Sequence, residues 1–343
     1  MNFNPLADGT TATASWTLGA GNDTIYVSTN TLTVDLAAYS GDTVGTSAAV
    51  TVTGALSAEY LTVLDTDGDT ITPVTIFAST VDDAAAYSLT IDASALDAGA
   101  ESLVASLADT DGTYTITGGA SGDSIATSNG NDSIVGNDGA DTITSGSGND
   151  TIYGGDGADK LQASSGNDLI YGGSGADTID AGSGNDTVYA GEGADTITLS
   201  SGFDVIDLTE STAARDVIVA DTASLAGTTA SPISVTGATV DDVITFSNLG
   251  AMTKVANTTA IFSSDATVNL TVTSGVLTAD ATLSLGDLFA AANQVASSTY
   301  VVAFEHGGST YLVEDRSGTS YVIKLVGLDI ATMSVTSNIV SFT

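Results

Sequence analysis

Between Gly118 and Asp207 a branched aliphatic residue returns every nine positions, at Ile125, Ile134, Ile143, Ile152, Leu161, Ile170, Ile179, Val188, Ile197 and Ile206. Two residues before each of them stands an aspartate: Asp123, Asp132, Asp141, Asp150, Asp159, Asp168, Asp177, Asp186, Asp195 and Asp204. The segment therefore divides without gaps into ten nonapeptides, with aspartate at the sixth position and the aliphatic at the eighth. One apolar residue in nine is too sparse for an amphipathic helix, which needs three or four per two turns. It predicts a very short strand with one inward side chain, followed by a polar turn. Glycine gathers at the first, second and fourth positions, where a side chain would be penalised for positive φ or would crowd a bound ion. Gly139, Gly148, Gly155, Gly157, Gly166, Gly173, Gly175, Gly184 and Gly193 are the glycines most directly implicated.

A second period lies over the first. From the third repeat onward the odd copies read Gly-Ala-Asp, and the even copies through the eighth read Gly-Asn-Asp. The structural unit is thus eighteen residues: a flattened coil with two strands and two loops per turn, odd loops along one edge and even loops along the other. Ten repeats make about five such turns of a parallel β-roll. The odd edge carries extra acids at its third position, Asp138, Asp156 and Glu192, where the even edge has Asn or Ser.

The flanks keep strand periodicity without the repeat. Residues 1–117 hold alternating stretches such as Thr31–Leu36, Ala49–Thr53 and Ser88–Asp92, and are read as an N-terminal β domain. Residues 208–343 are read as a mostly β C-terminal cap. Its one short helix is expected from Ser284 to about Val295, and its meander runs through Tyr300–Glu305, Thr310–Glu314 and Tyr321–Val326. The fold class is all-β, in three parts: 1–117, the roll 118–207, and 208–343. Leu18–Ile25 is a solitary copy of the nonapeptide, so Asp23 is either one more ligand or part of a plain hairpin turn. Asp65-Thr66-Asp67-Gly68-Asp69 opens like an EF-hand loop, but Ile76 stands where the bidentate glutamate belongs.

Composition sharpens this picture. The 343 residues include 42 acids, 36 of them aspartate, against five Lys and Arg, for a net charge of −37. Such a chain repels polyanions, which argues against nucleic acid and anionic membrane surfaces as partners. No apolar run is long enough for a transmembrane segment, and Met1–Asp8 lacks the basic and apolar regions of a cleaved leader. With no cysteine, neither disulfides nor thiolate chemistry are available.

Parallel strands stack about 4.8 Å apart, so sixth-position aspartates on successive turns are near neighbours. Two such carboxylates repel by roughly 1 to 3.5 kcal/mol at dielectrics of about 80 to 20. A row of them calls for a divalent cation between turns. Zinc would want His or Cys, Mg²⁺ a stricter octahedron, whereas Ca²⁺ accepts carboxylate and carbonyl oxygens in flexible geometry. One ion between each loop and the next loop on the same edge gives at most about eight sites in ten repeats.

The nonapeptides resemble GGxGxDxUx, the pattern of the RTX (repeats-in-toxin) calcium-binding proteins. The resemblance implies a parallel β-roll, calcium ligation by the sixth-position aspartates, and type I export read from an uncleaved C-terminal signal that would include Ile339–Thr343. Departures fall at the first position and at Ser128, Asn137, Ser164 and Ser200 in the second. Members of this family often carry an enzyme or toxin, but His306 is the single histidine, so neither HExxH nor a histidine-based triad finds support, and no GxSxG occurs. Trp16 is the single tryptophan, which leaves little for a sugar-hydrolase platform. The composition is similar to that of bacterial RTX S-layer proteins. The expectation is a non-enzymatic, extracellular protein of the bacterial cell surface that assembles with itself when calcium is present, with a surface polysaccharide as a further partner. A calcium-dependent adhesin or biofilm-matrix protein is the alternative, a secreted hydrolase the remoter one.

Overall fold

A computed structural model describes residues 112–220 without interruption. It also describes residues 90–94, 96, 102–107, 233–239, 241–245, 302–313, 322–328 and 340, and for further strands the backbone alone. The expected helix at 284–295, the Asp65–Asp69 turn and the side chains of Asp23 and Trp16 lie outside the described residues. The described part is all strand and turn, without helix, and its centre is a parallel β-solenoid of about six turns in residues 104–220. The chain forms two compact units, Met1–Thr178 and Ile179–Thr343.

In the first unit the nonapeptides alternate between two parallel sheets. Ser124–Ala126, Thr142–Thr144 and Lys160–Gln162 stack in one, with Ile125 opposite Ile143 and Ile143 opposite Leu161. Ser133–Asp138, Thr151–Asp156 and Leu169–Ser174 stack in the other, with Ile134 opposite Ile152 and Ile152 opposite Ile170. Each pairing joins residues eighteen apart, so every turn places its aliphatic directly on the previous one. These side chains are 0 to 1% exposed. Two columns of branched aliphatic residues, one per sheet, thus form the core of the repeats here, each side chain contributing about 1.5–3 kcal/mol by burial.

The coil begins before the first nonapeptide. Leu103–Leu107 pairs in parallel with Ser124–Ala126, and Gly112–Thr117 with Ser133–Asp138. Alternate residues of these two strands, Leu103, Ala105 and Leu107, then Tyr114 and Ile116, are buried as in the array. This accounts for one turn more than the ten repeats alone supply. Earlier strands follow the same parallel scheme: Thr31–Asp35, Glu59–Leu64 and Tyr87–Asp92 lead to Gly112–Thr117, and Asp23–Tyr26, Val50–Gly54 and Val74–Ala78 lead to Leu103–Leu107.

In the second unit Thr187–Glu192, Val205–Asp207, Ile233–Thr236 and Thr319–Val326 pair in parallel. Thr196–Ser201, Val217–Asp221 and Val243–Ser247 do the same in the other sheet. Beyond Val243–Ser247 that sheet turns antiparallel. Ile339–Phe342 adds antiparallel to Val243–Ser247, and Met333–Thr336 antiparallel to that. Tyr300–His306, Ser309–Arg316 and Thr319–Val326 form an antiparallel meander. Gly307 and Gly308, both at positive φ (59° and 75°), make its two-residue turn, and His306 lies at the end of the strand before it.

Candidate functional site

The sixth-position aspartates are all buried, each 3% exposed or less. What draws a carboxylate inward is the backbone of the preceding turn on the same edge. Oδ1 of Asp141 accepts the N–H of Asp123 at 2.6 Å, Oδ1 of Asp150 that of Asp132 at 2.8 Å, and Oδ1 of Asp159 that of Asp141 at 2.8 Å. Asp168 and Asp177 take the N–H groups of Asp150 and Asp159 at 2.8 Å. In the second unit Asp204 takes that of Asp186 at 3.1 Å. The ladder begins with Asp123 and Asp132, which accept from Leu103 and Tyr114 at 2.7 and 2.8 Å.

The second carboxylate oxygen is the chemically open one. Oδ2 of Asp132, Asp141, Asp150, Asp159 and Asp204 is buried without a hydrogen-bond partner. Asp123 differs: its Oδ2 accepts the N–H of Gly119 at 2.8 Å, which closes the start of the ladder with protein groups alone. A buried carboxylate is costly as an anion. Burial accordingly pushes Asp123, Asp132, Asp168, Asp177 and Asp204 up to about 6 and Asp141 up to about 7, against the lowering effect of the backbone N–H each accepts. Asp150 and Asp159 shift upward for the same reason.

The glycines divide by role. Positions two and four take up left-handed backbone: all nine glycines singled out from the sequence have φ between 114° and 145°. At position four a side chain would also strike the turn before, since a Cβ on Gly148 would lie 1.6 Å from the carbonyl oxygen of Gly130. Asn137 and Ser164 hold the same conformation at position two, φ 80° and 75°, at a cost that glycine avoids. At position one the reason is space. A Cβ on Gly136 would meet both Oδ2 of Asp141 and the carbonyl oxygen of Gly154, and one on Gly154 would meet Oδ2 of Asp159 and the oxygen of Gly172.

Acidic side chains alone do not make the site: among the described residues no three His, Cys, Asp or Glu side chains converge. Each nonapeptide supplies one buried carboxylate, and beside those of Asp141 and Asp159 the neighbouring oxygens are the backbone carbonyls of Gly154 and Gly172. Oxygen-only donors, one anionic and otherwise unsatisfied, with no sulfur or imidazole, fit a hard cation with flexible coordination. Calcium meets that description.

Residues that the nonapeptide pattern does not mark continue the ladder. Asp216 accepts the N–H of Asp195 at 2.9 Å, and Asp242 that of Asp216 at 2.8 Å. Both are buried. Asp242 closes this part of the ladder with protein groups, since its Oδ2 takes the N–H of Thr239 at 2.7 Å. The trace they leave in the sequence is the second half of a repeat, Asp216-Val217-Ile218-Val219 and Asp242-Val243-Ile244-Thr245. Glu192 accepts the N–H groups of Ser211 and Thr212, and Glu210 those of Gly193 and Ala214, which pins the inserted loop before Asp216 onto the ninth repeat.

Residues 117–152, 153–188 and 171–206 match the family model for the RTX calcium-binding nonapeptide repeat (4 copies). No curated protein matches the chain.

Proposed function

We propose that this RTX calcium-binding protein is a secreted structural component that assembles with itself into a bacterial surface layer once calcium fills its repeats. In this reading the ten sixth-position aspartates ligate calcium, with Asp132, Asp141, Asp150, Asp159 and Asp204 offering the carboxylate oxygen that the backbone ladder leaves open. Carbonyls of the glycine turns complete each site, and up to about eight ions lie along the two edges. The flanking coil and the C-terminal meander serve as ends for the stack and carry the type I export signal. A surface polysaccharide is the partner that would hold the layer to the cell.

The observation that carries the reading is the charge of the array against its geometry. Fifteen acids face a single Lys160 between Gly118 and Asp207, and ten of those acids are buried aspartates. No second copy of such a chain approaches until cations neutralise it. In cytosol, where free calcium is far below the 10⁻⁴–10⁻³ M dissociation constants roughly typical of extracellular sites, the array stays empty and the copies stay apart. Outside the cell both folding and association become possible. Light scattering of the purified chain should rise cooperatively on addition of millimolar calcium, fall on chelation, and be matched by ordered sheets in negative stain. A chain that binds calcium yet stays monomeric at high concentration would overturn the layer and favour an adhesin.

A further inference from the structure

The two edges of the array are built from different chemistry, and the difference falls on the oxygens that a cation would need. On the odd edge of the first unit, first-position Gly136 and Gly154 lack the Cβ that would collide with the oxygens packed against them. Oδ2 of Asp141 lies there with the carbonyl oxygen of Gly154, and Oδ2 of Asp159 with that of Gly172. Both Oδ2 atoms are buried and without a donor, as are those of Asp132 and Asp150 on the even edge, so the edges differ in their carbonyls rather than in their carboxylates. On the even edge the first position is Thr127, Ser145 and Ala163. There the equivalent carbonyls already have a proton donor: the Thr127 hydroxyl donates to the carbonyl of Ser145 at 2.6 Å, and the Ser145 hydroxyl to that of Ala163 at 3.1 Å.

The loops repeat the contrast at their fifth position. On the even edge Oδ1 of Asn131 accepts the N–H of Asn149 at 2.8 Å, and Oδ1 of Asn149 that of Asn167 at 2.7 Å. Ser165 Oγ donates to Ser147 Oγ at 3.1 Å, and Asn129, Ser147 and Ser165 are bridged in parallel. The even loops are thereby tied turn to turn by side chains. The odd loops have Ala140, Ala158 and Ala176 in place of that asparagine, and their side-chain tie lies elsewhere, at Asn137, whose Nδ2 donates to the carbonyl of Gly118 at 2.8 Å. They also have Asp138 directly opposite Asp156 in register, two exposed like charges that oppose stacking until they are neutralised.

We infer that the two edges are two classes of calcium site, with the odd edge, at Asp141–Gly154 and Asp159–Gly172, binding first and most tightly, and the even edge at Thr127 and Ser145 partly replacing the ion with hydroxyl and amide ladders. Asp138 and Asp156 are then residues that set affinity by their charge beside the odd sites, not by ligation. The inference rests on the calcium reading above and adds a division within it. It also gives the alternation of Gly-Ala-Asp with Gly-Asn-Asp a purpose: an edge whose loops are laced by asparagine beside one whose loops are not.

Calorimetric titration of calcium into the full-length chain at low salt tests it. Two classes of heat are expected. Asp138→Asn with Asp156→Asn should weaken the tight class by about three- to fivefold, the size of losing a unit charge several ångströms from a divalent ion in high dielectric, and leave the weak class in place. Ser145→Gly, which places on the even edge the first-position glycine of the odd one, should add about one ion to the tight class. A single class of identical sites, or a double asparagine variant that moves both classes equally, would overturn the inference while leaving calcium binding intact. No heat at all would sink the calcium reading itself.

Discussion

The backbone N–H of Asp132 donates to Oδ1 of Asp150, eighteen residues further on, at 2.8 Å, while Oδ2 of Asp150 has no donor. One side chain therefore serves two purposes that can be separated by substitution. Asparagine keeps the amide acceptor and removes the charge; alanine removes both. Asp150→Ala should destabilise the calcium-loaded array by about 1–3 kcal/mol beyond Asp150→Asn, because it leaves the Asp132 N–H buried and unsatisfied. Thermal melts in saturating calcium check the difference. Equal melting of the two variants would mean that the backbone ladder contributes nothing.

Position along the row should matter as well. Asp168 lies in mid-array, bonded to the N–H of Asp150. Asp204 lies at the end of the even edge: Ser234 donates to the Asp204 carbonyl, which puts Ile233 where the next carboxylate would stand. Asp168→Ala is expected to raise the calcium midpoint for folding more than Asp204→Ala. The reverse order would contradict the stacking register.

Acid should act in opposite directions with and without metal. The buried aspartates have folded pKa values of about 6 to 7, above the ordinary 3.8 of the unfolded chain. Groups raised on folding stabilise the fold most below 3.8, and that contribution is lost as pH rises through 6 to 7. In chelator the array should therefore hold more β-structure at pH 5 than at pH 8. Calcium must displace those protons, so its midpoint should rise as pH falls from 7.5 to 5.5. Circular dichroism across the two series checks both signs; a calcium midpoint indifferent to pH would be inconsistent with ligation by the buried carboxylates.

Much of this was legible in the sequence, for physical reasons that can be named. A strict period of nine with one aliphatic and one aspartate admits few arrangements, and the column Ile125, Ile143, Leu161 follows from it directly. Positive φ was foreseeable as one use of glycine; the other was read as room for an ion, and the atoms a side chain would strike at the first position are protein oxygens. Three features were not legible. Asp216 and Asp242 continue the ladder across spacings of 21 and 26 residues, because inserted loops lengthen the turn without disturbing the strand register. The strands before residue 103 follow the same parallel scheme with turns of irregular length, so no period betrays them. The inward aim of the carboxylates depends on a backbone N–H eighteen residues away, which only the folded coil brings near.

The central claim is that calcium folds the array. Hydrogen exchange on the full-length chain tests it most directly, read at the amides that the aspartates cap: Asp123, Asp132, Asp141, Asp150 and Asp159. One aliphatic per repeat and a row of buried carboxylates give little reason for the coil to close at neutral pH without metal. In millimolar calcium these five amides should be strongly protected, and in chelator they should exchange at nearly the rate of an unstructured chain. Equal protection in both conditions would contradict the account.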